Sequence, residues 1–181
     1  MSVSSLHGSA FGMSSVSSVV APDVQGGFMD YNDATGAVAL VADTWTTIDN
    51  DGAGSFTLST YKPDGVTDLV NVANGALDFS GLALGEALLI RNDFTIVPSV
   101  NNVYLQFRYN LGTGGGAYSL DRQLGSMSNG AGISYRHVFE TYIYMGDSNT
   151  RDNPGVLQVN VSEASTFTNA GSVIHLFREN R

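Results

Sequence analysis

Apolar and polar positions alternate along this chain in short runs, and clusters of glycine, asparagine and aspartate separate the runs. Helical periodicity is almost missing. Closely spaced short runs between turn clusters are typical of a β-sandwich or a β-barrel. The pattern therefore predicts an all-β fold, a jelly-roll β-sandwich of about eight to ten antiparallel strands.

The clearest strands are predicted at 86–97 and 102–111, where apolar residues alternate with polar ones. Pro98 and the Asn101–Asn102 dipeptide supply turn signals between them. We expect the two segments to pair with each other near the centre of the fold. Period-two alternation places one face of the second segment in the core. The residues of that face are Leu105, Phe107, Tyr109 and Leu111.

The remaining strands are predicted on either side of this pair. Residues 37–48 have the Val, Trp and Thr content of one or two strands, and 62–65 place Pro63 at the second position of a type I turn. Residues 66–84 read mainly as a loop with one brief strand. Further strands are expected at 55–61, 117–125, 135–145, 155–161 and 172–177.

An extended arm, residues 1–27, is predicted to precede the jelly-roll domain, residues 28–181. The first 22 residues contain eight serines and no Lys, Arg, Asp or Glu. Fully extended, they span roughly 70 Å at about 3.3 Å per residue, which is enough to reach a neighbouring subunit. A disordered tail is the alternative. The residues expected to anchor the arm on a partner surface are Val3, Leu6, Phe11, Met13, Val16, Val19 and Val20.

Charge and composition exclude several classes of partner. The formal net charge is −9, and the eight cationic residues are scattered, so no basic stripe could neutralise a nucleic-acid backbone. The same charge disfavours an anionic lipid surface, and no apolar stretch approaches the length of a membrane-spanning helix. We therefore expect no direct contact with nucleic acid or membrane. The chain has no cysteine, which excludes disulfides and thiolate metal sites.

Motifs for cofactors and metals are incomplete. Residues 112–117 match a G-x-G-x-x-A skeleton, but the residues that follow have the pattern of a strand rather than a helix, so a flexible loop is the better interpretation. Asp49 with Asp51, and 147–152, resemble parts of calcium loops without the full ligand spacing. We expect no cofactor and no metal.

Catalytic residues are not indicated either. His7, His137 and His175 lack metal-ligand spacing, and the chain has no nucleophile-elbow motif. An enzyme on this fold would need a pocket that joins His137 or His175 to Asp or Glu. We therefore expect a protein that is not an enzyme and has no catalytic residues.

Several tyrosines could form an oligomer interface or a surface that stacks on sugars. Aromatic side chains are favoured at such surfaces because they combine a large apolar area with a polar group. Core packing is the alternative for some of them. The candidates for this surface are Tyr104, Tyr135, Tyr142 and Tyr144.

The chain resembles structural proteins of tailed-bacteriophage virions over most of residues 30–176. The segments that carry the resemblance are WTTIDNDGAGSFT, YKPDGVTDL, FSGLALGEALLIRNDFTIVP, NNVYLQFRYNLGTG and YMGDSNTRDNPGVLQVNVS. The resemblance implies a trimeric jelly roll of TNF/C1q-like shape that serves as a capsid decoration (cement) protein, a head fibre or a fibre tip.

The short chain and its N-terminal arm favour the decoration role, because a fibre tip more often follows a long shaft. The implied partners are two further copies in a homotrimer, the major capsid protein, and another virion protein or a host glycan. The implied location is the capsid exterior of the virion, after synthesis in the host cytoplasm. The alternative is a fibre or tail module that binds a host receptor or carbohydrate.

Overall fold

Ten β-strands and one helical turn make up the part of the chain that the computed structural model describes, residues 24–179, with side chains described from 26 to 178. The elements are β1 Val24–Asp33, β2 Ala37–Leu40, β3 Thr46–Thr47, β4 Gly54–Leu58, β5 Ala87–Pro98, β6 Val103–Leu111, β7 Tyr118–Met127, β8 Tyr135–Tyr144, α1 Ser148–Asp152, β9 Val156–Val161 and β10 Ser165–Glu179.

The strands form two antiparallel sheets with jelly-roll connectivity. The six-stranded sheet has the order β4-β1-β10-β5-β8, with β2 also pairing with β10, and the four-stranded sheet has the order β3-β9-β6-β7. The antiparallel pairs β1 with β10, β3 with β9, β5 with β8, and β6 with β7 wrap successively around the sandwich. The predicted all-β jelly roll and its strand number are confirmed.

The two strongest predicted strands do not pair with each other. β5 lies in the six-stranded sheet between β10 and β8, and β6 lies in the four-stranded sheet between β9 and β7. Residues 99–102 carry the chain from one sheet to the other, and the Asn102 N–H donates to the carbonyl of Met127 on β7 (3.0 Å). The predicted pairing is wrong, whereas the predicted interior position of each strand in its sheet is right.

An aromatic cluster fills the space between the sheets. Phe94 of β5 stacks on Phe107 of β6 with ring centroids 5.9 Å apart, and Phe167 of β10 lies 4.9 Å from Phe94. All three rings are buried. The predicted core face of 102–111 is confirmed, because its four apolar residues are at most 2% exposed.

Two tyrosine hydroxyls in this core are hydrogen-bonded to asparagine side chains. The Tyr109 hydroxyl donates to Asn92 Oδ1 (2.7 Å), and burial raises the pKa of Tyr109, so the phenol stays protonated. Asn50 donates from Nδ2 to the Tyr31 hydroxyl (2.6 Å), and burial also raises the pKa of Tyr31. These bonds hold buried polar groups that would otherwise destabilise the fold.

Residues 66–84 cover one end of the sandwich. The segment contains isolated β-bridges at Val70 and Leu77 rather than a strand. The turn before this segment spans residues 63–66 and not the predicted 62–65. The Val66 N–H donates to the Pro63 carbonyl, and Gly65, the third residue of the turn, takes a positive φ. The buried side chains of the segment are Val66, Leu69, Val70, Leu77, Phe79 and Leu82.

Residues 147–152, interpreted from sequence as a loop, contain the helical turn α1. Asp147 is the N-cap residue, since its Oδ1 accepts from the Thr150 N–H (2.8 Å). The Asn153 N–H closes the turn on the Asn149 carbonyl. A helix of a single turn is too short to show helical periodicity in the sequence.

Arg178 joins three segments at the end of the six-stranded sheet. Its Nε donates to Glu86 Oε1 (2.6 Å) and its Nη1 donates to the Asp64 carbonyl (2.7 Å). Glu86 is buried, and its other oxygen accepts from the Ala83 N–H (2.8 Å). The ion pair therefore connects β10 to the turn that precedes β5, and the hydrogen bond to Asp64 connects it to the turn that follows β4.

We expect Arg178→Met to lower the free energy of unfolding by about 2 to 4 kcal/mol, because it leaves the buried Glu86 carboxylate without its cation. Urea unfolding followed by Trp45 fluorescence measures the loss. The control is Arg151→Met, whose pair with Asp152 is exposed, and this variant should match the wild type. An equal loss in both variants would contradict the proposed role of the buried pair.

Candidate interaction surfaces

The four candidate tyrosines lie on three separate strand faces. Tyr142 and Tyr144 project together from the outer face of β8 and are 56% and 53% exposed. Tyr135 lies on the opposite face of the same strand and packs partly buried against the core. Tyr104 is exposed on the outer face of β6 in the other sheet. These residues therefore do not form one continuous surface.

Tyr142 and Tyr144 belong to a larger exposed apolar area, which we name the aromatic patch. Leu89 of β5 lies opposite Tyr142, and Ala87 lies between Tyr144 and Phe177 of β10. Phe177 is 48% exposed. The patch is defined by Leu89, Tyr142, Tyr144 and Phe177.

The patch is not needed for the core of its own domain. The alternate residues of the same strands, among them Leu88, Ile143 and Leu176, already fill the inner face of the sheet. A strand that is apolar on both faces is typical of a sheet covered on both sides. Adjacent exposed apolar side chains are typical of an interaction surface.

A second apolar surface, the seam, lies between the edge strands β7 and β8. Among the strands of residues 24–179, each of these two has a neighbour on one side only, so this part of the sandwich is open between them. The inward-facing side chains here are only partly buried, and the ring of Phe139 lies 3.8 Å from that of Phe107 between centroids. The seam is defined by Leu120, Leu124, Tyr135 and Phe139.

The two strand histidines occupy opposite faces of the six-stranded sheet. His137 stacks on the core ring of Phe94 (5.4 Å between centroids), whereas His175 lies on the outer face near Phe28 (6.0 Å). Partial burial lowers the pKa of His137, and its Nε2 has no hydrogen-bond partner within residues 26–178. Neither histidine pairs with Asp or Glu in this part of the chain.

The lowered pKa of His137 predicts a pH-dependent stability. The folded state binds a proton at His137 less readily than the unfolded state, so this contribution is complete above the unfolded pKa and is lost as the pH falls through the folded value. Between about pH 7 and pH 5 the wild type should lose more unfolding free energy than His137→Gln. Chemical denaturation across this range tests the prediction, and parallel profiles of the two proteins would contradict it.

The other candidate chemistry has local structural explanations. Residues 112–117 lead from β6 into the strand β7, so the helix that a dinucleotide-binding turn requires does not follow. Asp49 accepts from the Asp51 N–H and Asp147 caps α1. Within the described residues, no group of three or more His, Asp or Glu side chains is placed to hold a metal ion. No helix between residues 24 and 179 is long and apolar enough to cross a membrane.

Part of the predicted arm belongs to the domain. β1 begins at Val24, and residues 24–27 pair with residues 176–179 of β10. The predicted anchor residues lie outside the described residues. They are Val3, Leu6, Phe11, Met13, Val16, Val19 and Val20.

No protein-family model matches the chain, and no curated protein matches it. Solved structures with a similar arrangement include Eiger TNF from S. frugiperda, with 10% identity, a TM-score of 0.47, and coverage of 86% of this chain and 92% of that one. The VP2 subviral particle of infectious bursal disease virus has 14% identity and a TM-score of 0.42, with 87% of this chain and 33% of that one covered.

The vertex protein P5 of PRD1 has 14% identity and a TM-score of 0.40, with 86% of this chain and 73% of that one covered. The chain thus spans about a third of the VP2 chain and most of the other two. The jelly-roll assignment rests on the strand order and register of this chain.

Proposed function

We propose that this chain is a non-enzymatic structural protein of a virion, a capsid decoration protein that forms a homotrimer and attaches to the major capsid protein through its N-terminal arm. The aromatic patch carries the proposal, because it exposes Tyr142, Tyr144 and Phe177 on a domain whose core is complete without them. The resemblance of residues 30–176 to tailed-phage virion proteins supports the same assignment.

The patch and the seam suggest how copies associate. They are different surfaces of one domain, so a contact between the patch of one copy and the seam of the next is heterologous. Heterologous contacts form a ring when the rotation between copies closes and a filament when it does not, and the proposed homotrimer is the closed case. In the proposed homotrimer, each patch covers the partly buried Leu120, Leu124 and Phe139 of its neighbour.

The proposed attachment depends on where the arm joins the domain. Val24 pairs with Glu179 at the end of the six-stranded sheet, and Gly26 lies opposite Phe177 of the aromatic patch. The arm thus enters beside the proposed subunit interface. A preceding segment without Lys, Arg, Asp or Glu suits strand addition to, or insertion between, capsid subunits. The domain would then face outward on the capsid.

We expect the double variant Tyr142→Ser, Tyr144→Ser to weaken self-association by about 100-fold, because it removes two large apolar side chains from the interface. Sedimentation velocity at micromolar concentration measures the change. Tyr104→Ser is the matched control, since Tyr104 is equally exposed on the opposite sheet. A wild-type chain that stays monomeric, or a double variant that associates normally, would overturn the trimer proposal.

We expect deletion of residues 1–22 to leave a folded, oligomeric domain that no longer binds particles, because β1 begins after the deleted segment. Particles lacking the protein are incubated with the full-length or the truncated chain and imaged by electron microscopy. Ordered density at repeated capsid sites with the full-length chain alone supports the proposal. Equal occupancy by the truncated chain would refute the role of the arm, and density only at the tail would favour the receptor-binding alternative.

A further inference from the structure

A cationic side chain lies within the apolar seam. Arg122 of β7 is directly opposite Phe107 of β6, so the two side chains share the inner face of the four-stranded sheet. Phe107 is fully buried, whereas Arg122 is exposed at the open edge of the sandwich. Along β7, Arg122 is two residues from both Leu120 and Leu124 of the seam. It forms no ion pair within residues 26–178.

An anionic side chain lies beside the aromatic patch. Glu140 precedes Tyr142 by two residues on β8, so both side chains project from the outer face of the six-stranded sheet. Glu140 is exposed and directly opposite Arg91 of β5. The Nη2 atoms of Arg91 and Arg136 lie 3.5 Å and 3.6 Å from Asp93 Oδ2. Asp93 therefore attracts both neighbouring arginines, and Glu140 forms no ion pair in the part of the chain whose side chains are described.

These two charges adjoin the surfaces that meet in the proposed trimer. Residues two apart on a strand are separated by about 6.6 Å, so Arg122 and Glu140 each lie close to the apolar side chains of the contact. A patch that covers the seam also takes Arg122 out of water. Removing a charge from water is unfavourable unless an opposite charge and hydrogen bonds replace the water. The unpaired carboxylate nearest to Tyr142 on the covering surface is that of Glu140.

We propose that Arg122 of one copy forms an ion pair with Glu140 of the next copy, and that this pair fixes the contact between patch and seam. The inference rests on the proposed homotrimer. Each copy contributes Arg122 through its seam and Glu140 beside its patch, so every interface of the closed ring contains the same pair. The planar guanidinium of arginine matches a carboxylate with two parallel hydrogen bonds.

The same charges disfavour the alternative contacts between copies. Two seams face to face would bring Arg122 against Arg122, and two patches face to face would bring Glu140 against Glu140. Like charges across an interface are repulsive, so specificity arises from the rejected contacts as well as from the favoured one. The pair therefore selects the heterologous contact over a twofold dimer.

The test reverses the charges one at a time and then together, with association of the full-length chain measured by sedimentation velocity at micromolar concentration. Arg122→Glu and Glu140→Arg each place like charges across the contact, so each should weaken association by about 100-fold. The double variant restores an opposite pair, and its association should be within about tenfold of the wild type. Arg151→Glu and Glu163→Arg are the matched controls outside the patch and the seam, and both should associate as the wild type does.

A loss in both single variants, with recovery in the double variant, supports the ion pair. Recovery also shows that the loss is not misfolding, because two independently damaging substitutions would add. Single variants that associate normally, a double variant no better than the single ones, or an equal loss in the controls overturns the ion pair and leaves the trimer proposal intact. A wild-type chain that stays monomeric overturns both.

Discussion

The stacking of Phe94 on Phe107 across the sandwich is the contact on which the fold depends. The two rings come from consecutive strands in different sheets, and their centroids are 5.9 Å apart. Phe139 and Phe167 pack against the same pair from β8 and β10. Because buried aromatic rings contribute large apolar areas, this cluster favours the arrangement in which β5 and β6 face each other instead of pairing side by side.

The inner faces of the two sheets supply the core. Core packing therefore does not constrain the residues on the two outer faces, and these faces differ. Apart from Tyr104, the outer face of β6 in the four-stranded sheet is polar, and Arg108 there donates to Gln158 while lying 4.0 Å over the Trp45 ring. The outer face of the six-stranded sheet instead exposes the aromatic patch. The two outer faces therefore differ in character, and the apolar surface of the six-stranded sheet is the one that suits binding.

The open edge between β7 and β8 follows from the same architecture. A sandwich of two separate sheets leaves edge strands, and proteins protect such edges by covering them or by placing charges along them. Residues 66–84 cover one end of the sandwich with buried side chains such as Leu69 and Phe79. At the edge formed by β7 and β8, Phe139 stays partly buried, and in the proposed assembly a second subunit covers it.

Local alternation alone was enough to locate most strands and to assign Leu105, Phe107, Tyr109 and Leu111 to the core, because strand periodicity involves only neighbouring residues. Pairing is different, since it depends on contacts between residues far apart in the chain. The partner of β5, the separation of Tyr104 and Tyr135 from Tyr142, and the aromatic patch therefore emerged only in the folded molecule. β-Bulges at Thr57 of β4 and Ala170 of β10 also became apparent only in the folded molecule. An extra residue in a strand is recognised only by comparison with the strand that pairs with it.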